Sequence, residues 1–283
     1  MARGNRLLGL AACTALVLTM MAVPAARAGS EVSCTFSSQT GILEVAMGPS
    51  TGVTLKRDAA GKISVVPWTC THDGPGPTVT TTKQIKVTGG DGFQSLLIDL
   101  TNGGFAPGSV NEVGSSEEIE MSVLLGAGPN DSVYILGSPG ADVIRLGIKG
   151  GGGPANIPVP RINLNANESS GVDHDVTLLG VETISIEGYG GRDTVSGEGG
   201  LGTGQPATFP IFLKGGVGAD VLTGGTNADV LVGGSGGDTL KGGKGPDELN
   251  AEDGVAGNDS SFGGTGSDTC VSDAGDAETS CEN

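Results

Sequence analysis

Apolar and polar positions alternate along this chain in short runs. Residues 42–45 (ILEV), 53–56 (VTLK), 63–66 (ISVV), 84–87 (QIKV), 96–100 (LLIDL), 122–125 (SVLL), 133–136 (VYIL), 176–179 (VTLL) and 183–186 (TISI) each read as a strand, and Gly, Pro, Asn or Asp separate them. Helical periodicity is almost absent after the first 28 residues. Each run is too short to be stable alone. Together they predict a chain that coils, so that each run pairs with its counterpart one turn away.

The alternation becomes metrical from residue 215. GGVGADVLT (215–223), GGTNADVLV (224–232), GGSGGDTLK (233–241) and GGKGPDELN (242–250) follow without a gap. Each fits G-G-x-G-x-D-x-U-x, with U a large apolar residue. Ala251, Glu252 and Asp253 then intervene. Residues 254–262 resume the pattern with Asp259, although Ser261 stands at U, and residues 263–271 complete it with Asp268 and Cys270.

On these six units the chain resembles the RTX, or haemolysin-type, calcium-binding repeat proteins. The resemblance covers 215–271, about a fifth of the chain. It implies a parallel β-roll of turn, short strand, turn, short strand, with two units per coil. Glycine lets the backbone curl tightly and point carbonyls inward. Asn227 stands at the fourth-position glycine of one unit, which predicts a left-handed Asn there. Strand alternation sends Leu222, Leu231, Leu240 and Leu249 to the interior.

Two units per coil place residues 18 apart on top of one another, about 4.8 Å away. Asp220 then lies over Asp238, and Asp229 over Asp247, on opposite edges. Bare carboxylates at that distance repel by about 1 kcal/mol in water and by about 3 kcal/mol at an effective dielectric near 20. Ca²⁺ resolves the repulsion, because it takes about 6–8 oxygens from carboxylates and carbonyls. Mg²⁺ keeps its waters and fits less well. The expected metal ligands are Asp220, Asp229, Asp238, Asp247, Asp259 and Asp268, with the turn residues Gly216, Gly218, Gly225, Asn227, Gly234, Gly236, Gly243 and Gly245. An alternative keeps the aspartates as turn residues with local hydrogen bonds. The three-residue insertion puts Asp259 and Asp268 in doubtful register, and Asp268 is expected to end its ladder.

Weaker copies precede the array. Residues 188–196 keep Asp193, 137–145 keep Asp142, and 126–134 keep Asp131; Asp131 and Asp142 are too close in sequence to stack. Residues 89–97 keep three glycines but carry Gln94 at the aspartate position. These read as coils that kept the shape and mostly lost the ion.

Charge and cysteines extend the picture. Residues 1–28 carry Arg3 and Arg6, an apolar stretch and Ala26-Arg27-Ala28, the layout of a secretory signal peptide; a membrane anchor is the rival reading. Without its Arg3, Arg6 and Arg27, the remainder holds twelve basic and 32 acidic residues, a net charge of −20. Such acidity argues against nucleic acid and for a cation. No later segment is apolar enough to span a membrane. Four cysteines remain in an exported chain, which suggests two disulfides; the spacing favours Cys34–Cys70 and Cys270–Cys281 without excluding the other pairings.

Other motifs carry little. Gly233-Gly234-Ser235-Gly236-Gly237 matches G-x-S-x-G but lies within a repeat, away from any long strand or helix. His72 and His174 read as loop residues, and Asp99 with Glu117 and Glu118 as ordinary acids. The sequons at 130–132 and 258–260 read as turns, with a third at 167–169. Trp68 reads as core near a disulfide.

The chain is thus expected to be all-β, in right-handed parallel β-roll or β-helix coils. The division is a leader (1–28), a more irregular β region (29–125), degenerate coils (126–210) and a regular RTX-type roll (211–283), with joints at 150–154 and 202–210. The expected function is that of a secreted, non-catalytic protein whose roll is bridged and folded by Ca²⁺. The alternative is a calcium-rigidified partner of a cell surface, extracellular matrix or glycan. An enzyme on a β-helix is the third reading. Members of the family often place a catalytic domain before the roll, and none is recognisable here.

Overall fold

A computed structural model describes residues 31–106, 119–150, 158–164 and 174–282. The leader, residues 151–154 of the first joint, Glu117, Glu118 and the sequon at 167–169 lie outside them. The described residues form strands and turns with no helix, so no helix there is long and apolar enough to cross a membrane.

In chain order the strands are β1 (Val32–Ser37), β2 (Ile42–Met47), β3 (Thr51–Arg57), β4 (Ile63–Val66), β5 (Thr71–His72), β6 (Gln84–Thr88), β7 (Gln94–Asp99), β8 (Glu120–Leu124), β9 (Ser132–Leu136), β10 (Val143–Lys149) and β11 (Val159–Asn163). There follow β12 (Val176–Leu179), β13 (Thr183–Gly190), β14 (Thr194–Ser196), β15 (Ile211–Val217), β16 (Val221–Thr223), β17 (Val230–Ser235), β18 (Thr239–Lys244), β19 (Glu248–Asn250), β20 (Ser260–Thr265), β21 (Thr269–Val271) and β22 (Ala277–Thr279). All nine sequence-predicted runs fall in or against these strands.

Successive strands of the array alternate between two sheets. One runs β22-β20-β18-β16-β14-β10-β11-β12-β8-β6-β2-β1-β5, the other β21-β19-β17-β15-β13-β9-β7-β3-β4. Pairing between coils is parallel. Antiparallel pairs occur where β11 and β12 are inserted beside β10, and near the start at β1–β2 and β3–β4.

Side chains alternate in and out along each strand, so stacking in register makes continuous apolar columns. In the second sheet Leu55, Ile98, Ile135, Ile186, Leu213, Leu231, Leu249 and Cys270 are successive register partners, and all are buried. In the first, Ile144, Val195, Leu222 and Leu240 form the matching column, which Ser261 continues. The four array leucines are fully buried, as their spacing predicts.

Both favoured disulfides form. Cys34–Cys70 closes the first coil, with Trp68 partly buried against the core beside it, and Cys270–Cys281 ties the tail to the last strand of its sheet.

Candidate metal centre

Every coil turns twice, and the residue just before each strand sits at an edge. Along one edge these residues are Asp142, Asp193, Asp220, Asp238, Asp259 and Asp276. The main-chain N–H of each donates to Oδ1 of the next: Asp142 to Asp193 at 2.8 Å, Asp193 to Asp220 at 2.7 Å, Asp220 to Asp238 at 2.8 Å, Asp238 to Asp259 at 2.6 Å and Asp259 to Asp276 at 3.2 Å. Along the other edge the N–H of Ile211 donates to Asp229 at 3.0 Å, Asp229 to Asp247 at 2.8 Å, Asp247 to Asp268 at 2.9 Å and Asp268 to Glu282 Oε2 at 2.5 Å. The six array aspartates are only 1–3 % exposed.

One oxygen of each carboxylate is thus used, while the other is mostly bare. Oδ2 of Asp193, Asp220, Asp238, Asp247, Asp259 and Asp268 is buried without a hydrogen-bond partner. Asp229 differs, because its Oδ2 accepts the N–H of Gly225 at 2.6 Å. Burial pushes the carboxyls of Asp193 and Asp247 up to about 7 and those of Asp229 and Asp238 up to about 6, and it raises Asp220 and Asp259 too. The N–H donors oppose that shift without cancelling it. An unsatisfied buried carboxylate oxygen is costly, so the donor set fits a hard cation.

The turns supply the remaining oxygens. Gly216, Gly218, Gly234, Gly236, Gly243 and Gly245 all lie in the left-handed region. A Cβ on Gly236 would fall 1.7 Å from the carbonyl oxygen of Gly218, and one on Gly234 2.1 Å from that of Gly216. Carbonyls of one turn therefore face the next, with no room for a side chain between. Among the described residues no group of three or more His, Cys, Asp or Glu forms a metal cluster. The candidate donors are instead carboxylates of successive turns with backbone carbonyls, the oxygen-rich set that suits Ca²⁺.

Several expectations need correction. Asn227 does not adopt the left-handed conformation, nor does Gly225. Their turn stacks on the irregular loop before β15, where the N–H of Thr226 and the side-chain amide of Asn227 donate to the carbonyls of Ala207 and Thr208 at 2.8 and 2.9 Å. The insertion does not disturb register: its residues are absorbed in the turn between β19 and β20, and Leu240 still faces Ser261 and Leu249 faces Cys270. Asp268 does not end its ladder, since Glu282 follows it.

Asp193 and Asp142 join the first ladder, whereas Asp131 lies on the other edge, where its N–H donates to Glu182 Oε2 at 2.7 Å. Asp131 and Asp142 therefore have no need to stack on each other. Asp276, Glu182 and Glu282 were missed by the pattern. Asp193 precedes Asp220 by 27 residues, which two units per coil would place on the opposite edge; the irregular loop before β15 lengthens this coil and brings the two together. Tyr189 is the register partner of Gly216 and takes the left-handed conformation in a glycine's place, half exposed.

The histidines stay apart from these ladders. His72 Nδ1 contacts the carbonyl of Gly74, and His174 Nε2 lies 3.0 Å from Thr177 Oγ1.

Residues 212–240 and 232–270 match the family model of the RTX calcium-binding nonapeptide repeat, in four copies. No curated protein and no solved structure matches the chain. The chain therefore carries, at residues 212–270, an array of the RTX calcium-binding nonapeptide repeat.

Proposed function

We propose that this is an exported, non-catalytic protein whose roll is set by Ca²⁺ held between successive turns. The observation that carries the reading is the in-register ladder of buried aspartates, each with one oxygen bound by the neighbouring coil and, in most, the other left bare. Asp220, Asp238 and Asp259 on one edge, and Asp229, Asp247 and Asp268 on the other, would hold the ions with carbonyls of Gly216, Gly218, Gly225, Asn227, Gly234, Gly236, Gly243 and Gly245. Bound calcium supplies positive charge where ionised carboxylates otherwise repel and lack solvation.

In this reading metal binding contributes folding free energy to residues 211–282. Burial of the carboxylates inside the turns supports a structural ion, since a substrate would have little access to them. Two disulfides and the leader-like first 28 residues support an oxidising, extracellular destination. Right-handed coils are expected, as parallel crossovers almost always take that hand.

The test is hydrogen exchange of the disulfide-intact protein. Strands β15 to β22 should exchange rapidly in chelator and become protected at about 10⁻⁴–10⁻³ M calcium, the range of weak extracellular sites, with magnesium a poor substitute. Full protection of these strands in chelator would overturn the reading.

A further inference from the structure

Two turns earlier in the stack share the array's geometry on only weak copies of its nonapeptide. Residues 89–94 join β6 to β7, and 125–131 join β8 to β9. They stack as 215–220 stacks on 233–238. The N–H of Gln94 donates to Asp131 Oδ1 at 2.6 Å, as that of Asp220 does to Asp238 Oδ1 at 2.8 Å.

The cradles also correspond. A Cβ on Gly89 would fall 2.6 Å from the carbonyl oxygen of Leu125 and 2.8 Å from Gln94 Oε1; one on Gly215 would fall 2.5 Å from that of Gly233 and 2.4 Å from Asp220 Oδ2. A Cβ on Gly126 would lie 2.5 Å from the oxygen of Gly90, and one on Gly128 1.9 Å from that of Gly92. Those contacts reproduce Gly234 on Gly216 and Gly236 on Gly218. The second turn holds one more residue than the array's, and Asn130 takes the left-handed conformation there, with φ 66°.

Gln94 thus occupies the aspartate position. Gln94 and Asp131 are fully buried, and Gln94 Oε1, Gln94 Nε2 and Asp131 Oδ2 all lack a hydrogen-bond partner. Two bare buried oxygens in a cradle of carbonyls call for a hard cation. We propose that Gln94 and Asp131, with turn carbonyls, form a second Ca²⁺ site outside the repeat array. It offers a neutral amide where the array offers a carboxylate, so it binds more weakly than the array does. The competing arrangement has the Gln94 amide turned onto Asp131 Oδ2, with its N–H in place of an ion.

The experiment uses the full disulfide-intact protein and Ca²⁺ alone, with ions per chain counted by native mass spectrometry and hydrogen exchange read separately at 89–94, 125–131 and 211–282. Calcium should slow exchange at 89–94 in the wild-type chain. The double variant Gln94→Ala, Asp131→Asn should carry one ion fewer and lose that local effect, while 211–282 keeps its calcium dependence. Gln94→Asp should tighten the site by about tenfold. Calcium-independent exchange at 89–94 in the wild type, together with no gain in Gln94→Asp, would overturn the proposal in favour of the amide bridge. Should the double variant fail to fold, exchange at 89–94 in the wild type and calcium affinity of Gln94→Asp decide between the ion and the amide bridge. Because the readout is local, a calcium-indifferent array with a responsive 89–94 would sink the proposed function and leave this site standing, and the reverse result would do the opposite.

Discussion

Gly236 and Gly237 are neighbours with opposite demands. Gly236 is left-handed, and an added Cβ would fall 1.7 Å from a backbone oxygen of the adjacent turn; at Gly237 the nearest atom would be 3.2 Å away and the conformation is ordinary. Gly236→Ala should therefore cost at least about 2 kcal/mol, and Gly237→Ala should stay within about 1 kcal/mol. Denaturant unfolding in saturating calcium checks the pair. The aspartates follow a different logic, because each is an acceptor for the preceding coil. Asp238→Ala strands the N–H of Asp220, and Asp268→Ala strands that of Asp247 in the same way. The two variants should raise the calcium midpoint for protection by similar amounts, each losing about 1–3 kcal/mol from the orphaned donor. A much milder Asp268→Ala would mean that the Glu282 end of that ladder contributes nothing.

Strands differ in how well they were written in the sequence. The array was legible because its units are nine residues long and two make a coil, so that Asp, Leu and Gly recur at the same place on the coil, with the one three-residue insertion taken up in a turn. The ladder before it was not, because β11 and β12 are added between β10 and β14 and lengthen the coil: Asp142 meets Asp193 across 51 residues, which no fixed period announces. The Asn227 turn was misread for a related reason, since its neighbour in space is an irregular loop and not another repeat. Glu182 and Glu282 fill aspartate positions with a longer side chain outside any G-G-x-G frame. At β20 the apolar column is broken by Ser261, 1 % exposed, with its hydroxyl unpartnered. Ser261→Ala should therefore stabilise the array by about 1 kcal/mol, read from the same unfolding curves. In β21, Cys270 fills the core and its bond to Cys281 spans 11 residues. Cys281→Ser should cost about 3 kcal/mol, with exchange rising first in β22.

Over the whole molecule, the buried carboxyls couple the fold to pH. Their pKa values are raised by desolvation, to about 6 for Asp229 and Asp238 and about 7 for Asp247 and Asp193, so the folded state favours their neutral forms. Their contribution is fully present below the ordinary carboxylate pKa and is lost as pH rises through 6 to 7. In chelator, then, circular dichroism should show more β structure at pH 4.5 than at pH 8. In calcium the trend should reverse, because protons compete with the ion. Apo protein that is more ordered at pH 8 than at pH 4.5 would contradict this. The ladders also carry an arrow. Along both edges of the array the donor lies on the earlier coil and the carboxylate on the later one. Cutting the chain back from its C-terminus would leave the edge N–H groups of the last coil without their carboxylates, whereas removing coils from the other side would free carboxylates and strand different donors, such as the N–H of Thr239, which bonds the carbonyl of Asp220 on the earlier coil. At its aspartate edges each coil is therefore finished by the coil that follows it in sequence, as a roof tile is pinned by the next one laid.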